Sequence, residues 1–60
     1  MRSVKVKDLK RGMGIETILW EIKKVEKVTF DKEFESDATI HFQDGKRYYC
    51  LSYESVDIVN

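Results

Sequence analysis

ATIHFQDGKRYYCL, residues 38–51, decides the fold, because two short runs of alternating polar and apolar residues meet there at Asp44-Gly45. The first run places apolar side chains at alternate positions, Ala38, Ile40 and Phe42. Asp-Gly between two such runs is a strong signal for a β-hairpin with a type I′ turn. We therefore predict a hairpin with a two-residue loop, and we read the rest of the chain outward from it.

The length of this loop decides which side chains of the second strand face the core. A two-residue loop places Ile40 opposite Tyr49. In that register Tyr49 and Leu51 point inward, whereas Tyr48 and Cys50 point outward. A three-residue loop would shift the pairing by one residue and exchange the two faces. We prefer the first register because Leu51 suits a core better than Cys50.

Upstream, the first residues predict a strand followed by an anchored turn. Residues 2–6 alternate, with Val4 and Val6 on one face, as in a half-buried strand. The segment 7–13 reads as a turn in which Leu9 reaches into the core.

The segment 15–30 is ambiguous by periodicity, since its apolar residues fit both a helical stripe and a strand. It is rich in β-branched residues and has no N-cap residue before it, which favours strands. We predict two strands, about 15–19 and 20–30, or one bent strand with a bulge at Lys23–Lys24. A helix is the alternative.

The remaining segments are short. Residues 31–37 carry four acids and one lysine and predict a polar connection, with Phe34 folded back onto the core. Residues 52–55 predict a single turn of 3₁₀ type, and residues 56–59 a closing strand with Val56 and Ile58 on one face. Four aromatic residues are expected in the core: Trp20, Phe30, Phe42 and Tyr49.

Five or six short strands with turn signals between them predict an all-β chain, a small barrel or sandwich of antiparallel strands. With 60 residues it forms one domain, residues 1–60. The order of strand, anchor loop, long bent strand, Asp-Gly hairpin, 3₁₀ turn and closing strand resembles an SH3-like barrel.

A second resemblance lies in the N-terminal part. Asp8, Leu9, Gly12 and Met13 are similar to the Asp-Leu-x-x-Gly-Met turn of the KOW-like N-terminal domain of elongation factor P. Arg11 stands where that family has proline, and the acidic segment 31–37 replaces the family's lysine-bearing loop. The resemblance therefore implies a barrel and does not carry translation-factor activity to this chain.

Composition restricts the class of protein. Eleven basic and eleven acidic residues give a net charge of zero, and Cys50 is the only cysteine. A lone cysteine excludes an intrachain disulfide and a multi-cysteine zinc site, and it fits a reducing compartment. The N-terminus lacks the apolar core of a signal peptide, and no run approaches the ~20 apolar residues of a membrane span. We expect a soluble, cytoplasmic protein.

Catalytic chemistry has one weak candidate. In the preferred register His41 and Cys50 share a face on neighbouring strands, so a Cys–His pair can be drawn. Nucleophilic catalysis also needs an orienting group, and structural zinc needs four ligands. We therefore expect no enzyme, no metal and no cofactor.

Binding is the expected activity of this small accessory or regulatory protein, of the kind encoded in compact genomes such as those of phages. The candidate binding residues are basic or aromatic: Lys10, Arg11, His41, Lys46, Arg47, Tyr48 and Tyr53. A neutral chain with a basic end (residues 1–12) and an acidic loop (31–37) favours a protein partner. The alternative is a KOW-like nucleic-acid-binding protein that uses the basic N-terminal segment and the hairpin Lys46–Tyr48. An exposed edge strand, Val4–Val6 or Val56–Val59, offers a homodimer interface.

Overall fold

The computed structural model describes residues 2–16 and 21–59, and strands dominate this part of the chain. In chain order the elements are β1 (Arg2–Lys5), a 3₁₀ helix (Val6–Asp8), β2 (Gly14–Glu16), β3 (Ile22–Phe30), β4 (Asp37–Phe42), β5 (Arg47–Leu51) and β6 (Ser55–Ile58). The predicted all-β class is confirmed. Trp20 and the greater part of the predicted strand 15–19 lie outside the described residues.

The six strands form one antiparallel sheet in the order β1-β6-β2-β3-β4-β5. The sheet is open in the described part of the chain, with β1 and β5 at its two edges. The expectation that Val56–Val59 offers an edge is wrong, because β6 lies between β1 and β2. The expectation for Val4–Val6 is met by β1 in part, since Val6 already belongs to the 3₁₀ helix.

Strand β3 belongs to both halves of the sheet. Its first residues pair with β2, and its later residues pair with β4. At the junction, Val25 donates its N–H to the Met13 carbonyl oxygen at 2.9 Å and accepts from the Gly12 N–H at 2.9 Å. On its other side Val25 pairs with Phe42. The two halves of the sheet therefore meet at the fully buried Val25.

The β2–β3 hairpin confirms two strands in the ambiguous segment, and the helical alternative is wrong for its described residues. The irregularity lies at Glu26. Val25 pairs with Phe42 and Lys27 pairs with the next residue, His41, so that Glu26 is the extra residue of β3 in a β-bulge. The predicted bulge at Lys23–Lys24 is wrong, because both lysines pair regularly with β2. The bulge falls where β3 leaves β2 and must twist toward β4 alone.

The β4–β5 loop differs from the predicted type I′ turn. Ile40 lies opposite Tyr48, one residue away from the predicted partner. The Gly45 N–H donates to the Phe42 carbonyl oxygen at 3.0 Å, so Gln43 and Asp44 are the central residues of the turn. Gly45 follows with a φ of +88°. The loop thus has three residues, 43–45, and resembles the hairpin in which a type I turn precedes a glycine bulge.

The changed register corrects the assignment of faces. Tyr49 was expected inside and is 72% exposed, whereas Cys50 was expected outside and packs against the core. Leu51 is half-buried. Phe30, at the last position of β3, is 48% exposed although its register partner Ala38 is buried. Phe34, expected to fold back, is also exposed.

The core is small and apolar. Its buried members come from both halves of the sheet and from the turn after β1: Val6, Leu9, Ile15, Val25, Ala38, Ile40, Phe42 and Ile58. Val4 and Val56 pack against it at its margin. The predicted anchor Leu9 and the predicted inward positions of β4 are thereby confirmed.

The 3₁₀ helix follows β1, whereas it was expected before the last strand. There the chain instead makes a turn, closed by the Glu54 N–H donating to the Leu51 carbonyl oxygen at 3.1 Å. The two features are joined, since the Val6 N–H donates to the Glu54 carbonyl oxygen at 2.8 Å. The 3₁₀ helix turns buried Val6 into the core at this point.

Gly45→Val should lower the free energy of unfolding by at least about 1–2 kcal/mol, the cost of left-handed backbone for a residue with a side chain. A Cβ at this position meets no atom within 4 Å, so the penalty is conformational and not a clash. Gly45→Asn is the matched control, because asparagine adopts this conformation readily. Urea denaturation followed by circular dichroism measures both. Equal stability of Gly45→Val and the parent would show that the loop does not need this conformation.

Candidate binding surface

The outer face of β3, β4 and β5 carries the polar side chains that alternate with the core residues. The strand register arranges them in rows that cross the sheet. One row contains Thr29, Thr39 and Tyr49, and the next contains Lys27, His41 and Arg47. Within this face Thr29 Oγ1 lies 2.8 Å from His41 Nε2, a hydrogen bond that joins the two rows.

A shallow depression of about 450 Å³ lies at one end of these strands. Its lining comes from adjacent positions of the three strands and the following loop: Thr29, Phe30, Asp31, Asp37, Ala38, Thr39, Tyr49 and Cys50. Tyr49 and two acidic residues, Asp31 and Asp37, are therefore among the residues that line the depression. The volume is in the range of ligand pockets, but the depression is open to solvent.

The charges of this face are separated along the strands. Asp31 and Asp37 lie at the depression, and Lys27 and Arg47 lie two residues or more beyond it. The Asp31 carboxylate accepts hydrogen bonds from the N–H groups of Phe34 and Glu33, and these bonds hold its pKa below the ordinary value. Over the described residues, the side chains of Asp37, Lys27 and Arg47 form no ion pair. They are available to a partner.

Strand β5 also presents unused backbone groups. The Phe42 N–H donates to the Lys46 carbonyl oxygen, and the Ser52 N–H donates to the Ser36 carbonyl oxygen. Hydrogen-bonded pairs alternate along an antiparallel ladder, so Tyr48 and Cys50 bond to β4. The N–H and C=O groups of Arg47 and Tyr49 therefore point to the open side of β5. No bond to them exists in the described part of the chain.

The loop at the other end of this surface is held by Asp44. Its carboxylate accepts from the Lys23 ammonium, and Oδ1 accepts from the Lys46 N–H at 2.9 Å. The bond from Lys23, followed by that from Lys46, lowers the pKa of Asp44, and the same contact with Asp44 raises the pKa of Lys23. Lys23 Nζ also lies 3.5 Å from Glu21 Oε2, which forms a second ion pair. These contacts fasten the hairpin loop to β3.

The structure does not bring together the two residues of the Cys–His pair, which was the one catalytic candidate of the sequence. His41 lies on the outer face, whereas Cys50 packs against the core on the inner face, so the two do not form a pair. Burial raises the pKa of the Cys50 thiol, with a smaller contribution from Glu54, and this disfavours the reactive thiolate. Among the residues that the structure describes, no three side chains of His, Cys, Asp or Glu gather as metal ligands do.

The predicted binding residues are only partly brought together. His41 and Arg47 are opposite one another on β4 and β5, and Lys46 precedes them at the loop. Lys10 and Arg11 lie in the turn before β2, where Arg11 pairs with Glu26 at 3.4 Å. Tyr48 is half exposed on the inner face, and Tyr53 is exposed in the turn before β6.

Sequence reasoning missed Tyr49 and Lys27. The preferred two-residue loop assigns Tyr49 to the core, whereas the alternative three-residue loop places it outside, as in the structure. Lys27 had no signal of its own, since only the β3–β4 register aligns it with His41.

No protein-family model, curated protein or solved structure matches the chain. Over residues 2–16 and 21–59, no helix has the length and apolar character needed to cross a membrane.

The contribution of the Asp44 contacts to stability can be tested by measuring the free energy of unfolding at acid pH. A carboxylate whose pKa is lowered by folding stabilises the fold above its unfolded pKa, ordinarily 3.8, and this contribution disappears as pH falls through the folded pKa. The parent should therefore lose more unfolding free energy than Asp44→Asn between about pH 5 and about pH 2. Asp8→Asn is the control, since Asp8 accepts no side-chain hydrogen bond in the described part. Denaturant titrations across this range measure the difference, and parallel pH profiles of parent and Asp44→Asn would contradict the proposed stabilisation.

Proposed function

We propose that this chain is a non-catalytic binding module, a small accessory or regulatory protein that acts in the cytoplasm through a protein partner. The observation that carries the proposal is β5, an open edge strand with unused backbone groups and two exposed tyrosines. Extended protein segments bind at such edges through main-chain hydrogen bonds, while adjacent depressions select their side chains. The lone, half-buried Cys50 supports a reducing compartment.

The proposal includes a single SH3-like domain over residues 1–60. Support comes from the strand order, in which β2 to β5 follow one another across the sheet and β6 returns beside β2. The long β3, bent at Glu26 and shared by both halves of the sheet, is the feature that curves such a barrel. In this proposal β5 and β1 are the strands between which the barrel is open.

The composition of the β5 side supports a protein partner. Tyr49 is 72% exposed and Tyr48 52% exposed, and Phe30 lies nearby at the depression. Tyrosine is enriched at the energetic centres of protein interfaces. The surrounding charges are of both signs, a pattern that fits a mixed polar rim better than a polyanion.

Tyr49→Ser should abolish capture of partner proteins that the tagged parent retains from a lysate of the organism that encodes the chain. Tyr49 lines the depression and is not a member of the buried core cluster. Ile22→Ser is the matched control, because Ile22 is comparably exposed at the start of β3, away from β5. Thermal unfolding of both variants checks that the fold is intact.

Quantitative mass spectrometry of the captured proteins gives the outcome. Proteins lost with Tyr49→Ser and kept with Ile22→Ser support the β5 side as the binding surface. Equal capture by all three proteins would contradict it, and so would loss with the control alone.

A second function, nucleic-acid binding, is favoured by one observation: Lys27, His41 and Arg47 form a row beside exposed Tyr49. Basic groups that follow a backbone and an aromatic ring that stacks on bases are the features of single-strand binders. The carboxylates of Asp31 and Asp37 on the same face, and the net charge of zero, oppose it.

Retention on single-stranded DNA separates the two functions. We expect the parent to elute without retention at about 50 mM salt, because phosphate contacts need net basic surface. Retention that weakens steeply toward about 200 mM salt, and that is lost in Arg47→Ala, would establish the nucleic-acid alternative and overturn the protein-partner proposal. Lys5→Ala is the control for charge alone.

A further inference from the structure

The open side of β5 has a pattern that is complementary to itself. We propose that its partner is a second copy of this chain, with β5 paired antiparallel to β5 and Tyr49 opposite Tyr49 of the partner subunit. This inference rests on the proposed function, since it names the protein partner of the same surface. Edge strands with unused backbone groups are templates for such pairing, and a two-fold pairing of identical edges uses both copies of β5, so that β1 is the edge left at each end of the dimer.

The backbone fixes the register. The outward-pointing groups belong to Arg47 and Tyr49, and the same alternation assigns Leu51 to the open side, where its carbonyl oxygen already accepts the Glu54 N–H at 3.1 Å. Pairing centred on Tyr49 sets Arg47 opposite Leu51 of the partner subunit, so that the Leu51 N–H donates across the dimer while its carbonyl oxygen keeps its bond to Glu54. Registers centred elsewhere leave part of the strand unpaired.

The charges of the outer face agree with this register. Arg47 continues the row of Lys27 and His41, and Leu51 lies beside Asp37 in the β4–β5 ladder. The two-fold pairing therefore extends each basic row toward the partner's Asp37, one strand beyond the partner's Leu51. Since Arg47 and Asp37 have no ion pair within the described chain, the dimer supplies each with an opposite charge.

The proposed pairing also places the exposed tyrosines of β5 in the dimer interface. On the outer face the two copies of Tyr49 lie side by side at the two-fold axis, flanked by Thr39 of each β4. On the inner face Tyr48 lies opposite Cys50 of the partner subunit. Directly opposed aromatic pairs stabilise antiparallel strands. The pairing thus involves the most exposed large hydrophobic side chain of the described residues.

The other edge does not offer the same pairing. Strand β1 has the sequence RSVK, and its Ser3 hydroxyl already donates to Asp57 at 3.1 Å. If two copies of β1 paired antiparallel, the positive side chains of Arg2 and Lys5 in one copy would lie close to the positive side chains at the ends of the other copy. Charged residues of one sign on an edge oppose such pairing. A net charge of zero removes long-range repulsion between whole chains, so the choice of edge follows from local charge.

Sedimentation equilibrium of the full chain tests the assembly. The average mass should rise from one chain to two between about 1 μM and about 1 mM protein, the range of weak to moderate affinity. Arg47→Glu should raise the dimer dissociation constant at least about 10-fold, because it directs a carboxylate toward the partner's Asp37. Arg47→Glu combined with Asp37→Lys should restore the dimer, and Lys5→Glu on β1 should leave it unchanged.

A disulfide tests the register independently of these charges. In a Cys50→Ser background, Tyr49→Cys places two thiols at the axis, with Cα atoms about 5.5 Å apart as in a hydrogen-bonded pair, within disulfide reach. Arg47→Cys in the same background is the control, since the proposed register sets the two copies of position 47 far apart. Non-reducing gels should show a covalent dimer with Tyr49→Cys and none with Arg47→Cys.

Three results overturn the inference: one chain at every concentration up to about 1 mM, an Arg47→Glu dimer as tight as the parent, or equal cross-linking at positions 47 and 49. These outcomes are separate from the failure of the proposed function. A monomer that still captures other proteins through Tyr49 keeps the binding function and refutes the homodimer. A monomer retained on single-stranded DNA through Arg47 refutes both.

Discussion

The register of the β4–β5 hairpin depends on how Asp44 is held. Its carboxylate accepts hydrogen bonds from the Lys46 N–H and from the Lys23 side chain, so the loop is tied both to itself and to β3. With Asp44 in this position, Gly45 is left to adopt positive φ alone, and the loop contains three residues instead of two. That single residue moves Tyr49 to the outer face and turns Cys50 toward the core. The composition of the outer face of β5 therefore follows from a contact some distance away from it.

A second constraint is the small number of residues available. A chain of this length buries only ~60% of the surface that its unfolded form exposes. Its sheet must therefore bend so that the apolar residues of its two halves can pack against one another. Val25 makes this bend possible, because its backbone bonds to the turn before β2 while its register partner is Phe42 of β4. The bulge at Glu26 follows at once. Phe30, at the end of β3, remains half exposed, and Tyr49 is exposed because the register turns it to the outer face.

Much of the fold is readable from the sequence because local pattern and tertiary role agree there. Alternation in β4 identified Ala38, Ile40 and Phe42, and the isolated Leu9 between polar residues identified the anchor. The loop type was not readable, since Asp-Gly serves both two-residue and three-residue hairpins, and the deciding partner, Lys23, lies twenty-one residues upstream. The bulge was misplaced for a similar reason. Lys23 and Lys24 interrupt the apolar pattern, yet the geometric irregularity arises where β3 changes partners.

The two edges of the sheet differ in how far their side chains prevent pairing with another strand. β1 is short and carries Arg2 and Lys5, which keep other strands away. β5 carries its single positive charge at one end and tyrosines in its middle, a composition that does little to prevent pairing. A core this small is stabilised by anything that binds only the folded state, in proportion to the concentration of that partner. An edge left open at β5, with Tyr48 and Tyr49 beside it, allows association to supply apolar contact that the chain is too short to provide for itself.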